Sequence, residues 1–138
     1  MKRTIRGRGI SKGSGKGVAL VSRSPVLFYG VIDPEAGRVI ERGHELEGEC
    51  VKGKVFIFPC GKGSTVGSWT LLALAERKTA PAAIINVEAE PVIAIGAIIA
   101  NIPLVDRPDA NLFKMNHTGH YVEVNADVGL IEVTSTEC

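Results

Sequence analysis

One stretch limits the folds open to this chain more than any other: Phe58-Pro59-Cys60-Gly61-Lys62-Gly63-Ser64-Thr65-Val66-Gly67-Ser68-Trp69. The apolar run Val55-Phe56-Ile57-Phe58 leads into it, and a helical pattern from Ser68 to Lys78 leads out. A strand that turns through glycines into a helix can bring backbone N–H groups close to a ligand and aim the positive end of the helix dipole at it. Such a unit belongs in a layered α/β domain. A hydroxyl-capped helix start with a glycine turn would use the same residues, with Ser64 or Thr65 as the cap.

Two familiar phosphate loops are excluded by spacing. A Walker A loop needs a lysine directly before its Ser or Thr. Here Gly67 precedes Ser68 with no lysine between them. The dinucleotide fingerprint needs a third glycine where Val66 stands. The stretch is therefore a candidate anion or active-site loop of another kind. A hydroxyl held in it can be an anion contact, or a base once its proton is removed, and Lys62 can meet an anion. Lys62 as an ordinary solvated loop lysine carries equal weight, because one lysine is only a flexible point charge.

Composition narrows the function. The chain has 138 residues, 45% of them apolar, and a formal net charge of +1. That balance fits a globular protein with one core and argues against a nucleic-acid-binding protein, which needs a basic excess. With 5% aromatic residues there are few platforms for stacking on bases. Arg3, Arg6, Arg8, Lys12 and Lys16 form a basic N-terminal stretch, best read as a solvated strand face. Glycine and charge, not an apolar run, follow the N-terminus, and Val92 to Val105 is too short to span a bilayer. The expectation is a cytoplasmic protein with no membrane association, residues 1–133 forming one domain and residues 134–138 a polar tail.

Metal chemistry finds little support in the residues. Cys50, Cys60 and Cys138 are an odd set without a C-x-x-C pair, and their spacing is not that of an iron–sulfur ligand set. His44 among Glu45, Glu47 and Glu49 reads as a solvated loop histidine. His117 and His120 lack an evident third ligand and also read as loop residues.

Along the chain, Thr4–Arg8 and Gly17–Ser22 read as two strands around a glycine-rich connection, Gly9 to Lys16, a second possible phosphate cradle best read as a mobile hairpin loop. Val26–Ile32 reads as a strand, Asp33–Gly37 as a turn, and Val39–Arg42 as the returning strand. Ala82–Val87 is a short buried strand. Pro91 opens a helix, apolar all round, that Asn101 ends. Gly96 costs that helix about 1 kcal/mol relative to alanine, which a close backbone or ligand approach would explain. Ile102–Val105 is a strand, Asp106–Asn116 a helical or irregular connection, and Tyr121–Asn125 with Leu130–Val133 a hairpin.

Three motifs in one order resemble a known family. They are Gly61-Lys62-Gly63-Ser64-Thr65-Val66-Gly67-Ser68, Ala80-Pro81-Ala82-Ala83-Ile84-Ile85-Asn86, and Ala94-Ile95-Gly96-Ala97-Ile98-Ile99-Ala100 before Ile102-Pro103-Leu104-Val105. Together they resemble the small, swivel-domain subunit of the aconitase X family, over about Gly7 to Val133. The resemblance implies a swivelling β/β/α domain with a partly closed, barrel-like sheet and flanking helices. It also implies the small subunit of a heteromeric hydro-lyase, inactive without a large aconitase X-type subunit that carries a [4Fe-4S] cluster and takes a small anionic substrate. Archaeal members of the family dehydrate phosphomevalonate in isoprenoid biosynthesis, and bacterial relatives dehydrate cis-3-hydroxyproline. Wider aconitases carry Gly-x-Gly-Ser-Ser-Arg, whose first serine, the catalytic base, matches Ser64, and the resemblance implies Lys62, Gly63 and Thr65 beside it as substrate-binding residues. The arginine of that loop falls at Val66, so its substrate-binding role does not carry over. A non-catalytic anion-binding or interaction module is the rival reading.

Overall fold

The computed structural model describes residues 2–26, 28, 31–61, 65–111 and 119–134. Its centre is a parallel unit. Strand β3 (Ser14–Val21) runs beside β6 (Val55–Phe58), β6 beside β7 (Ala83–Asn86), and β7 beside β8 (Leu104–Asp106). Parallel neighbours need crossovers, and two helices supply them: α1 (Thr65–Glu76) joins β6 to β7, and α2 (Pro91–Ala100) joins β7 to β8. β6 and β7 are buried at every position, as expected for strands covered on both faces.

The second half of the sheet is antiparallel. β9 (Tyr121–Asn125) and β10 (Leu130–Thr134) form a hairpin, β10 pairs with β1 (Lys2–Arg6), and β9 pairs with β3. β3 serves both halves, with Ser14 to Val18 antiparallel to β9 and Ala19 to Val21 parallel to β6. At the far edge β2 (Arg8–Ser11) pairs with β8, giving the order β1-β10-β9-β3-β6-β7-β8-β2. Only Gly7 separates β1 from β2, which stand at opposite ends of that order. The sheet must therefore curl until its ends nearly meet.

This curl divides the core in two. Ile5, Val21, Ile57, Ile85, Val122 and Ile131 pack inside the curled sheet, while Phe28, Phe56, Phe58, Leu71, Leu74 and Ile93 pack between sheet and helices. The result is the β/β/α layering and barrel-like sheet expected from the family resemblance. Phe28, Phe56 and Phe58 meet at centroid separations of 4.7–6.0 Å, so the strand entering the glycine-rich stretch is anchored by aromatic contacts to its last residue.

Several sequence expectations change. β2 and β3 do not pair with each other; each takes a partner distant in sequence, so Gly9 to Lys16 is largely strand and not a hairpin loop. The expected strand Val26–Ile32 is reduced, among the described residues, to a bridge from Val26 to Gly61 and a small ribbon of β4 (Ile32–Asp33) with β5 (Arg38–Val39). The turn between them is as expected, with Gly37 at φ 66°. The expected return over Val39–Arg42 shortens to β5, because Ile40 onward enters a run of turns. Thr134 belongs to β10, and the remaining tail lies outside the described residues, as do residues 112–118, His117 among them.

Candidate active site

In a parallel α/β unit, ligands bind beyond the carboxyl ends of the strands, where loops pass into helices. Here that edge carries the turn after Phe58, the turn after Asn86, and the first residues of α1 and α2. Four bonds hold it as one body. Val26 N donates to Cys60 O (3.0 Å), Val87 N donates to Pro59 O (3.0 Å), Arg107 N donates to Val87 O (3.0 Å), and Ala89 N donates to Asp106 Oδ2 (2.9 Å). Asp106 is fully buried and also accepts from Arg8 Nε and the second guanidinium nitrogen at 2.9 and 2.8 Å. That forked pair raises the Arg8 guanidinium above its usual range through its hydrogen bonds to Asp106. Beside it, Arg107 holds the exposed Glu88 carboxyl below its ordinary value. The edge is thus pre-organised before any ligand arrives.

The two helix N-termini differ. At α2 the Glu90 carboxylate accepts from Val92 N and Ile93 N, both at 3.1 Å, so that N-terminus is occupied by the chain's own anion. Pro91 sits in the first turn, and Asn101, at φ 58°, closes the other end. α1 has no acidic residue in its first turn. The residues that precede it in sequence, Phe58 to Ser64, include no carboxylate either. Gly61 packs so tightly on Ile93 that a β-carbon would collide with the Ile93 side chain, so the bare backbone is needed at this corner.

Asn86 stands at the carboxyl end of β7, opposite Phe58, and is fully buried. Its Nδ2 donates to Phe58 O (3.0 Å) and more weakly to Ile85 O (3.3 Å). Two carbonyls fix the amide's orientation. Oδ1 is buried with no hydrogen-bond partner among the described residues. Asn86→Asp is therefore expected to place a carboxylate against two carbonyl oxygens and to destabilise the chain by roughly 2–4 kcal/mol at neutral pH. Burial would push the new carboxyl's folded pKa above its unfolded value. The loss should then be smallest below the unfolded pKa and grow as pH rises through the window between the two. Thermal unfolding at pH 4 and pH 7 checks this; equal losses at both would contradict it.

The structure places the sequence-nominated residues unevenly. Lys62, Gly63 and Ser64 lie outside the described residues, and Thr65 is the first residue of α1, with its side chain likewise outside. The close approach sought for Gly96 is present: a β-carbon there would lie 2.9 Å from Ser68 Cα, so α2 crosses α1 at this glycine. His44 Nδ1 accepts from Leu46 N (3.0 Å), and the Cys50 thiol donates weakly to Ala36 O. His120 stands outside the strands, directly before β9, as the loop reading expected, but it is buried. Among the described residues no three His, Cys, Asp or Glu side chains converge as metal ligands. Sequence reasoning missed Glu90, Asp106 and the role of Asn86. A Glu directly before a helix-opening proline was the available signal for the cap. Asp106 and Arg8 are brought together only by the β2–β8 pairing.

The β/β/α layering, with a curled sheet and two crossover helices that start at one strand edge, is the arrangement of the swivel domain expected from the family resemblance. Residues 4–133 match the family described as aconitase X swivel domain, and the chain belongs to that family. The chain is 52% identical over 124 residues to the phosphomevalonate dehydratase small subunit of Methanothermobacter thermautotrophicus, covering 90% of this chain and 95% of that one. It is 48% identical over 129 residues to the protein of the same description from Methanosarcina mazei, covering 94% and 90%. Among solved structures, it superposes on a chain of Thermococcus kodakaraensis aconitase X in its holo-form with a TM-score of 0.90, at 44% identity, covering 96% of this chain and 99% of that one. A UPF0107 protein solved in solution by NMR matches with a TM-score of 0.88 at 45% identity, covering 98% and 100%.

Proposed function

We propose that this chain is the small subunit of a phosphomevalonate dehydratase. With a larger subunit it converts (R)-5-phosphomevalonate to trans-anhydromevalonate 5-phosphate and water. The observation that carries the reading is the near full-length likeness to small subunits of that description, 52% identical with 95% of the relative covered. The strand-edge geometry supports it, since α1, unlike α2, has no carboxylate of its own at its N-terminus.

The chemistry removes a proton α to a carboxylate and a hydroxyl from the neighbouring carbon; the proton passes to the base, and over the whole reaction the two losses amount to one water. Ser64 is the base in this reading, and Gly63, Thr65 and the α1 N-terminus provide donors that stabilise its alkoxide. Lys62 holds the substrate phosphate or lowers the serine pKa. The family's iron–sulfur cluster does not fit the described residues of this chain: the Cys50 thiol faces Ala36 in the β4–β5 ribbon, while Cys60 lies beside Gly61 at the site edge. The cluster then belongs to the large subunit, and this chain's part is proton transfer and substrate positioning.

Co-expression with the large subunit and an anaerobic dehydration assay tests the reading. Turnover of 5-phosphomevalonate by the pair, and by neither chain alone, is expected. Turnover of cis-3-hydroxy-L-proline in its place would move the substrate assignment. Binding of anions by the lone chain with no turnover by the pair would favour the interaction module.

A further inference from the structure

We infer that the outer face of the helical layer, built by Trp69, Ile95, Ile98 and Ile99, is the docking surface for the large subunit. The inference rests on the assembly proposed above. Trp69 is 69% exposed, and Ile95, Ile98 and Ile99 are 55%, 51% and 60% exposed. The three isoleucines lie at spacings of three and four, so they form one stripe on α2. The stripe flanks the α1–α2 crossing, where Gly96 meets Ser68, the residue before Trp69.

A surface helix ordinarily carries charge opposite its buried stripe. α2 has no charged residue from Pro91 to Ala100, and α1 has none before Glu76. Of the other large apolar residues exposed among the described residues, Val18 and Tyr121 form one cross-strand pair between β3 and β9, and Ile40, Val87 and Val128 stand singly on separate segments. Clustered apolar exposure of the first kind marks an interaction surface, whereas scattered exposure is ordinary.

Position identifies the occupant. Both helices start at the strand edge that carries the candidate site, and Trp69 lies one turn from Thr65 at the α1 N-terminus. A partner that completes the site must cover this edge, and continuing along the helices it meets the apolar face. The relatives are described as small subunits, which supplies a larger partner. A second copy of this chain would cover the stripe without completing the site.

The test uses the full chain and the purified large subunit. Trp69 is the sole tryptophan, so biosynthetic 5-fluorotryptophan in this chain reports on that position alone. Its fluorine resonance should shift on titration with the large subunit. Trp69→Glu and Ile98→Glu should weaken the complex roughly 30-fold or more, as expected at an interface hot spot. Their own thermal unfolding should stay close to that of the parent chain, because both sites are exposed. Val128→Glu, in the β9–β10 turn, is the control and should bind like the parent. Unchanged affinity in both helix variants with a normal parent complex would overturn this inference and leave the functional reading intact. The same result with a loss of self-association in sedimentation would assign the face to a second copy, which also overturns it. Failure of the parent chain to bind the large subunit would overturn both.

Discussion

Ser64→Ala is expected to lower kcat of the assembled enzyme by roughly 10²–10⁴-fold, the usual cost of losing a positioned base. Folding and assembly should be nearly unaffected. The change removes one hydroxyl at a helix start, so the stability loss should not exceed that of a lost cap, about 0.5–2 kcal/mol. The disparity is the point of the experiment, because a structural serine would move both quantities together. Thr65→Ala and Ser68→Ala are the comparisons. Ser68 meets Gly96 across the helix crossing through its Cα and Cβ, which alanine keeps, so its alanine variant should retain turnover. Activity in Ser64→Ala with loss in Ser68→Ala would keep the loop and change the residue. Activity in all three would move the base to the partner and make this chain a cover for the site.

Gly9→Ala is expected to destabilise the isolated chain by about 3 kcal/mol, at the upper end of the usual overpacking cost. A β-carbon at Gly9 would run into the backbone carbonyl of Ala126, in the turn of the β9–β10 hairpin. Backbone cannot swing aside as a side chain can. The site is where the curled sheet closes on itself: Gly7 N donates to Gly129 O (2.7 Å), and Ala126 N donates to Gly13 O (2.8 Å). Gly15 and Gly17 likewise abut the carbonyls of Ala82 and Gly53. For a domain of this size the loss corresponds to a Tm shift on the order of 10 °C. Thermal unfolding measures it. The same experiment decides what these glycines are for. If they cradled a phosphate, Gly9→Ala would keep its Tm and lose a ligand instead.

The elements closest to the candidate site were legible in the sequence because local physics governs them. An apolar run into glycines and out into a helical pattern can scarcely be anything but strand, turn and helix, and β6, α1, β7 and α2 fall within a few residues of their expected places. Pro91 and Asn101 mark the ends of α2 by their own backbone preferences. Gly96 signalled a close approach by its cost alone, and Ser68 proved to be the partner.

What the sequence determined by itself, then, was the strand–turn–helix unit, the hairpin at the C-terminal end and, through three ordered motifs, the family. Each depends on residues near one another along the chain. The tertiary structure alone decided the partners of the first three strands: local pattern made Thr4–Arg8 and Gly17–Ser22 a hairpin around a Gly9–Lys16 loop, and long-range pairing sent β1 to β10, β2 to β8 and β3 to β9 and β6. It also decided that the Arg8 guanidinium would lock Asp106, which lies 98 positions away, and that Glu90 would fill one helix N-terminus while the other has no acidic residue in its first turn. These outcomes depend on which distant backbone groups and charges can be satisfied at once when the sheet curls. No window of sequence contains both halves of such a choice.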